Sequence, residues 1–552
     1  MQHLISATLP AAIAAAQTYL ETARATVGQL VGKVDDTAPT SANRPLEAHD
    51  RAQRAVHGLA WVSTYVHALS ALQGWISRST AAQGTPSRTD QLIVAVACGE
   101  YLAQLVSALP MTQLEMLRPA DMDCSDAART LADDPAVRAV IEQGNTPANR
   151  AALAAAIADN DYGSEATGDE SLDQVRDTFR RFAREQVRPF AHGWHLADAL
   201  IPDNVITQMA EMGAFGVTVP TEHGGLGLGK LAMCIVSEEL SRGYLTVGSL
   251  GTRAEIAAEL IQLNGTEAQK ARWLPGIAAG EVLPCAVFTE PDTGSDLASL
   301  STRAVAQPDG SWLVQGNKTW STHGARSDMM TLLVRTNPEV GGYRGLSMLL
   351  APKPRGTDAQ PFPAAGMSGS EIEVLGYRGM KEYEIGFDDF AVPADALLGG
   401  EPGQGFKQLM QTFESARIQT AARALGTAFD VLDVSRRYAL ERRQFGRSLI
   451  EFPRVADKLA MMLAETVAAR ELTYFAAREK DEGKRCDMEA GMAKLLGARV
   501  AWAAADGGLQ IHGGNGYALE YDIIRLLCDA RILNIFEGAG EIQAQVIGRR
   551  LL

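Results

Sequence analysis

Across most of this chain apolar residues recur every three or four positions, but from Val282 to about residue 398 they come in short runs parted by Gly, Pro, Asp and Asn. The first spacing lines one face of a helix, whereas brief apolar runs bounded by turn residues read as strands. The chain is therefore expected to be mainly α with a middle β domain. In the alanine-rich first part, Leu59, Val62, Val66, Leu69, Leu72 and Ile76 share a face of a helix within residues 46–77. Two more helical stretches span 90–117 and 126–157, the latter broken at Asn145-Thr146-Pro147. The acidic, glycine-bearing residues 159–169 read as a linker. Helices resume at 172–187 and 202–212 and persist to Ala279. Strands are expected at 285–289, 312–314, 330–334, 346–350 and 385–387, and long helices at 406–438, 453–482 and 487–512. The resulting division is a helical extension (1–160), a helical domain (161–281), a β domain (282–398) and a helical bundle (399–552).

A length of 552 residues allows several sizeable cores. The net charge of -15 disfavours a nucleic-acid partner, which calls for a basic face, but leaves room for a nucleotide held by backbone amides. Cys98, Cys124, Cys234, Cys285, Cys486 and Cys528 show no C-x-x-C spacing and no histidine at ligand distance in sequence, so buried free thiols and no metal centre are expected. The start has no basic region before its apolar residues. The most apolar stretch, 91–111, is interrupted by Gln91, Glu100, Gln104 and Pro110 well short of a membrane span. A soluble, cytoplasmic protein is expected.

Five short segments could carry chemistry. In Asn534-Ile535-Phe536-Glu537-Gly538-Ala539-Gly540-Glu541, the carboxylate of Glu537 lies between an apolar pair and two glycines. Desolvation raises a carboxylate's pKa and suits it to act as a base; a solvated glutamate at a helix start accounts for the same run. The loop Thr289-Glu290-Pro291-Asp292-Thr293-Gly294-Ser295-Asp296 offers hydroxyl and N–H donors to carbonyl or phosphate oxygens, as an ordinary polar turn also does. In Lys318-Thr319-Trp320-Ser321-Thr322, the indole could lie on a flat ring or simply fill the core. Glu441-Arg442-Arg443-Gln444-Phe445-Gly446 could clamp a pyrophosphate and an adenine. Gln510-Ile511-His512-Gly513-Gly514-Asn515-Gly516 would let the backbone approach a ligand closely. Both also read as plain helix ends.

Taken in order, T-E-P-x-x-G-S-D, K-x-W-x-T, E-R-x-x-F-G, Q-x-x-G-G-x-G and F-E-G resemble the acyl-CoA dehydrogenase family over about residues 170–552. The resemblance implies an N-terminal helical domain, a β-barrel-like middle domain and a four-helix bundle, with FAD between them. It implies that Phe288, Thr289, Gly294 and Ser295 contact the flavin or the thioester end of the substrate, and that Trp320 and Thr322 flank the isoalloxazine ring. Arg442, Phe445, Gln510, Gly513 and Gly514 would bind the FAD of a neighbouring subunit, hence a homo-oligomer. Glu537 matches the base that removes the α-proton of an acyl-CoA while a β-hydride passes to flavin N5. Its own N–H and a ribityl hydroxyl would hold the thioester oxygen, at ~3 kcal/mol per donor. Ser295, Arg417 and Gly538 would face the substrate, and electron-transfer flavoprotein would accept the electrons. Some relatives carry the base on another helix, but the matching position is Ala416, and Glu414, two residues away, points about 200° off.

Two positions depart from the family pattern: Ala539 replaces a threonine after Glu-Gly, and Cys528 an arginine before Asp-Ala. The extension is unusual too. Its helices are expected to pack on the core over surface that a second dimer covers in tetrameric relatives, giving a homodimer. Its length points to family members whose acyl group bears a free carboxylate, which needs a partner when buried. Arg253 is the first candidate, unless it pairs with Glu255, Glu259 or solvent; Tyr377, Arg378 and Tyr383 are others. The rival readings are an acyl-CoA oxidase using dioxygen, a short- or branched-chain dehydrogenase and, disfavoured by the acidity, a DNA-associated flavoprotein.

Overall fold

Helix begins almost at the first residue in the computed structural model, which describes residues 1–37 and 49–552. The extension comprises α1 (Leu9–Thr37), α2 (Gln53–Gln83), α3 (Arg88–Val106), α4 (Ser125–Asp133), α5 (Pro135–Gly144) and α6 (Pro147–Ala158). The six residues expected on one face of α2 are all buried, and so are Ser63, Thr64 and Ala68 on its other side, so the helix is central rather than half-exposed. Residues 46–48, the expected start of that helix, lie outside the described residues. Helix α3 stops at Val106, short of the expected 117, and Leu109–Pro110 pairs instead with Met116–Leu117 as a brief antiparallel hairpin. Pro110 has no N–H to continue a helix. The 126–157 stretch breaks twice rather than once: Asp134 accepts from the N–H groups of Ala136 and Val137 and caps α5, with Pro135 at its first position.

The chain then passes through α7 (Glu170–Phe182), α8 (Arg188–Leu196), α9 (Asp203–Glu211), α10 (Lys230–Gly243), α11 (Leu245–Asn264) and α12 (Glu267–Ala278). Seven strands follow: β1 (Pro284–Val287), β2 (Arg303–Ala306), β3 (Trp312–Lys318), β4 (Met329–Arg335), β5 (Leu346–Pro352), β6 (Met367–Ile372) and β7 (Glu382–Val392). They form one curled sheet in the order β1-β4-β2-β3-β7-β6, with β5 on β4. Strand β4 lies parallel to β1 and antiparallel to β5 and is buried along almost its whole length, which is why its sequence is a continuous apolar run. The last elements are α13 (Gly405–Glu441), α14 (Pro453–Asp481), α15 (Asp487–His512), α16 (Asp522–Ile532) and α17 (Gly540–Leu551).

Two compact units result. Met1–Gln174 and Thr420–Leu552 together make the first, and Val175–Gln419 makes the second. Within the first, the extension and the last helices share one core. Arg150 pairs with Asp457 at 2.7 Å, Arg436 donates to the carbonyls of Ile157 and Ala158, Tyr162 donates to Asp433, and Arg24 donates to the carbonyl of Leu551. A Cβ on Gly548 of α17 would lie 2.5 Å from Val56 of α2, so only glycine permits that approach. The six cysteines are free thiols, five buried and Cys528 half-buried. Among the described residues, no helix is long and apolar enough to cross a membrane.

Candidate active site

In the second unit the loop after β1 and the end of β3 are tied together. The carboxylate of Glu290 accepts from the N–H and hydroxyl of Ser301 (2.7 and 2.9 Å), from the N–H of Thr302 (2.8 Å) and from Lys318 Nζ (2.9 Å). Lys318 also donates to the carbonyl of Phe288 at 2.9 Å, and the N–H of Thr319 donates to that of Thr289. Burial alone would raise the pKa of Glu290, but the Lys318 charge and the Ser301 and Thr302 donors bring it down to about 2. Burial draws the Lys318 ammonium down to about 8, against the opposing pull of Glu290. Phe288 and Thr289 are half-buried, whereas Gly294 and Ser295 stand exposed on the loop.

Trp320 is 54% exposed with a φ of 56°, so the indole does not fill the core and its face is presented outward. Thr322 is buried and donates its hydroxyl to Glu382. Beside it His323 is buried, and neither ring nitrogen has a hydrogen-bond partner among the described residues. Burial and then the cations Arg326, Arg355, Lys353 and Arg253 push its pKa down to about 3, so the ring is neutral. Glu382 was not flagged by the sequence, where it is one polar residue in a strand, and His323 was read only as the residue following Thr322, with no role of its own.

The candidates for a carboxylate partner separate. Arg253 on α11 donates to the Tyr377 hydroxyl at 3.5 Å, while Glu255 and Glu259 are engaged by Lys230 (2.5 and 3.5 Å), Thr218 and Ser415. Burial lowers the Lys230 pKa, but the two carboxylates more than offset it and the net shift is upward. Arg378 turns to the carbonyls of His195 and Val374, a structural role, and Tyr383 packs edge-on against Phe362 in the sheet core. Val217, Met233, Ser237, Gly251, Glu255 and Gln419 line part of a cleft of about 260 Å³ in the same unit. On α13, Ala416 is buried and offers no acid, and Arg417 lies over the Phe413 ring at 5.7 Å.

In the first unit, the end of α13 meets the turn after α15. The Tyr438 ring stacks on His512 at 4.1 Å; its hydroxyl donates to the His512 carbonyl and accepts from Asn515. One turn on, Arg442 is exposed, and Phe445 is 93% exposed with a φ of 51°. Gln510, Gly513 and Gly514 are exposed as well, and a Cβ on either glycine would meet nothing within 4 Å. Exposed cation, bare aromatic and open glycines suit a phosphate-and-ring ligand, and the hydroxyls, N–H groups and indole of the second unit suit the edge and face of a flat polar ring.

Glu537 lies between α16 and α17 with a φ of 52°, a strained conformation for a non-glycine residue. Its carboxylate accepts from Arg423 at 2.5 Å and from the Thr420 hydroxyl, both on α13. The Arg423 side chain is fully buried and that of Glu537 is 13% exposed. The carboxylate is therefore not simply surrounded by apolar groups, as its flanking residues suggest; a buried guanidinium faces it and also lies 5.0 Å from the Phe536 ring. The backbone is held as firmly: Lys494 donates to the Gly538 carbonyl at 2.5 Å, and Gln543 donates to the carbonyls of Glu537 and Gly538. A Cβ on Gly538 would lie 2.1 Å from Gln543 Nε2. Thr420, Arg423, Lys494 and Gln543 went unread in the sequence. The one signal was a charge at 423 amid residues with helix-core spacing.

The comparisons bear on the family. Residues 169–281, 285–390 and 403–552 match the N-terminal, middle and C-terminal domains of acyl-CoA dehydrogenase. The chain is 62% identical over 510 residues, 92% of each chain, to a (2S)-methylsuccinyl-CoA dehydrogenase of Cereibacter sphaeroides. A butyryl-CoA dehydrogenase structure from Megasphaera elsdenii superposes with a TM-score of 0.66 at 29% identity, covering 70% of this chain and all of that one. A glutaryl-CoA dehydrogenase in complex with glutaryl-CoA does so with a TM-score of 0.65 at 31% identity, covering 70% and 95%. The chain belongs to the acyl-CoA dehydrogenase family and is an oxidoreductase of the dehydrogenase type.

Proposed function

We propose that this protein oxidises (2S)-methylsuccinyl-CoA to mesaconyl-CoA, with Glu537 taking the α-proton. One observation carries the substrate: the 62% identity to a (2S)-methylsuccinyl-CoA dehydrogenase extends over 92% of the chain, and so takes in most of the extension that the matched solved structures, at 70% coverage, do not span. The site chemistry is compatible with a carboxylate-bearing acyl group, because Arg253 is a buried cation and a buried substrate carboxylate needs such a partner.

Bound FAD would supply the two-electron acceptor for desaturation of the Cα–Cβ bond. Phe288, Thr289, Gly294, Ser295, Trp320 and Thr322 are the residues proposed to hold its ring end. Arg442, Phe445, Gln510, Gly513 and Gly514 are proposed for the dinucleotide end of a second subunit's cofactor, hence a homo-oligomer, and the extension, by covering the surface a second dimer would use, makes it a homodimer. Glu537 accepts the α-proton, and its backbone N–H donates to the thioester oxygen, where negative charge builds as the proton leaves. Arg417, Ser295 and Gly538 complete the substrate contacts. Electron-transfer flavoprotein is the proposed acceptor, and the cytoplasm the proposed location.

The test is a panel of methylsuccinyl-, succinyl-, butyryl- and isobutyryl-CoA mixed anaerobically with the yellow protein while flavin bleaching is followed. Bleaching by methylsuccinyl-CoA is expected. Bleaching by the monocarboxylic thioesters alone would refute the substrate, and turnover with dioxygen alone would refute the acceptor. Light scattering checks the dimer, which a tetramer would contradict.

A further inference from the structure

A lysine buried at the end of a strand is costly, and here it is spent on one loop. Lys318 is fully buried, and its ammonium donates to the Phe288 carbonyl and to Glu290. Removing an ammonium from water costs several kcal/mol, and a well-packed apolar pair in its place is often as stable or more so. Stability alone therefore does not call for the pair. Its geometry supplies what an apolar pair could not. Glu290 begins the loop, and its carboxylate grips Ser301 and Thr302, where the loop ends and β2 starts. Lys318 adds β3 to the same knot, two residues before Trp320. Between these anchors Asp292, Gly294, Ser295 and Asp296 are exposed, and the loop's own hydrogen bonds are local, Glu290 exchanging backbone bonds with Thr293 and Ser299 donating to Asp296. Arg335 supports only the far side, by donating to the carbonyls of Ala298 and Leu300.

We propose that Lys318 is a positioning residue: its buried charge holds the base of the loop from Glu290 to Thr302 closed, and so fixes Thr289, Gly294 and Ser295 relative to Trp320 and Thr322. The inference rests on the reading of these residues as the flavin-ring site. Glu290 is the charged group facing Lys318. Of the other charges on adjoining strands, Arg303 is turned to Gln315, Arg335 to loop carbonyls and Glu382 to Thr322, while Glu384, Asp388 and Asp389 on β7 are exposed. Removing the Lys318 side chain leaves the Glu290 charge buried without its counter-ion and loosens the loop.

The experiment uses the full-length protein stripped of flavin and the same protein reconstituted with FAD, comparing wild type, Lys318→Arg, Lys318→Met and Glu290→Gln. In the stripped wild type at pH 7, the Ser301 and Thr302 amides should be protected against hydrogen exchange, and Lys318→Arg, which keeps the charge, should retain most of that protection. Lys318→Met and Glu290→Gln should exchange fast there and bind FAD about tenfold or more weakly by fluorescence titration. Unchanged Ser301 and Thr302 protection in both neutral variants overturns the proposal. If neither variant folds, Ser301 and Thr302 amides that exchange in the wild type as fast as those of the exposed residues 294–296 overturn it. A wild type whose loop behaves as expected but which binds no FAD supports the loop-holding role and refutes the flavin reading instead.

Discussion

A carboxylate that takes a proton from carbon must be held at a fixed angle, and Glu537 is held from both ends, by Arg423 and Thr420 at its side chain and by Lys494 and Gln543 at its backbone. Glu537→Gln preserves the shape and removes the proton acceptor. It is expected to retain FAD and bind thioester while flavin bleaching slows about a hundredfold or more, measured by stopped-flow absorbance. Gly538→Ala attacks the backbone instead. Its φ is 93° and the added methyl meets Gln543, so a cost of ~1–3 kcal/mol is expected as a lowered Tm. Glu537 could be read in the sequence because its neighbours are unusual. Its four supports could not, because each is a single polar residue on a helix and only packing brings them to one carboxylate.

At the scale of elements, legibility followed burial. Strand β4 stood out as a continuous apolar run because both its faces are buried, and helices α13 to α15 because long buried faces impose periodicity. Strands β2 and β6 were missed: β6, Met-Ser-Gly-Ser-Glu-Ile, is an edge strand with polar residues exposed on both faces, and carries no apolar period to read. The loop between β1 and β2 yields a pH prediction. Glu290 has its pKa lowered from the ordinary 4.5 to about 2 in the fold. The unfolded chain thus takes up this proton first as pH falls, so the stabilisation is complete above about 4.5 and lost on approach to 2. Acid unfolding of Glu290→Gln should show a shallower fall in stability across that window than wild type, by urea midpoints at stepped pH.

For the whole molecule, the extension belongs to the core of the first unit. Trp75 of α2 is buried and packs with Arg470 of α14, and Val56 touches the last helix. A chain lacking residues 1–160 would bare those apolar faces of α14 and α17. It is expected to aggregate on size-exclusion chromatography rather than behave as a trimmed enzyme. The helical character of the extension was plain in its spacing, but its shared core with the C-terminal helices joins segments hundreds of residues apart, which no local pattern records.

Because the first unit is made from both ends of the chain, time enters its folding. Residues Met1–Gln174 leave the ribosome first and must wait for Thr420–Leu552, with the whole of Val175–Gln419 made in between, roughly 10–50 s at common synthesis rates. During that interval the faces of α2 and α3 that meet the last helices have no partner, while the uninterrupted second unit can already fold. Newborn chains are therefore most dependent on chaperones between their first and last helices, and a stop codon a few residues before Leu552 would leave the very first helices exposed.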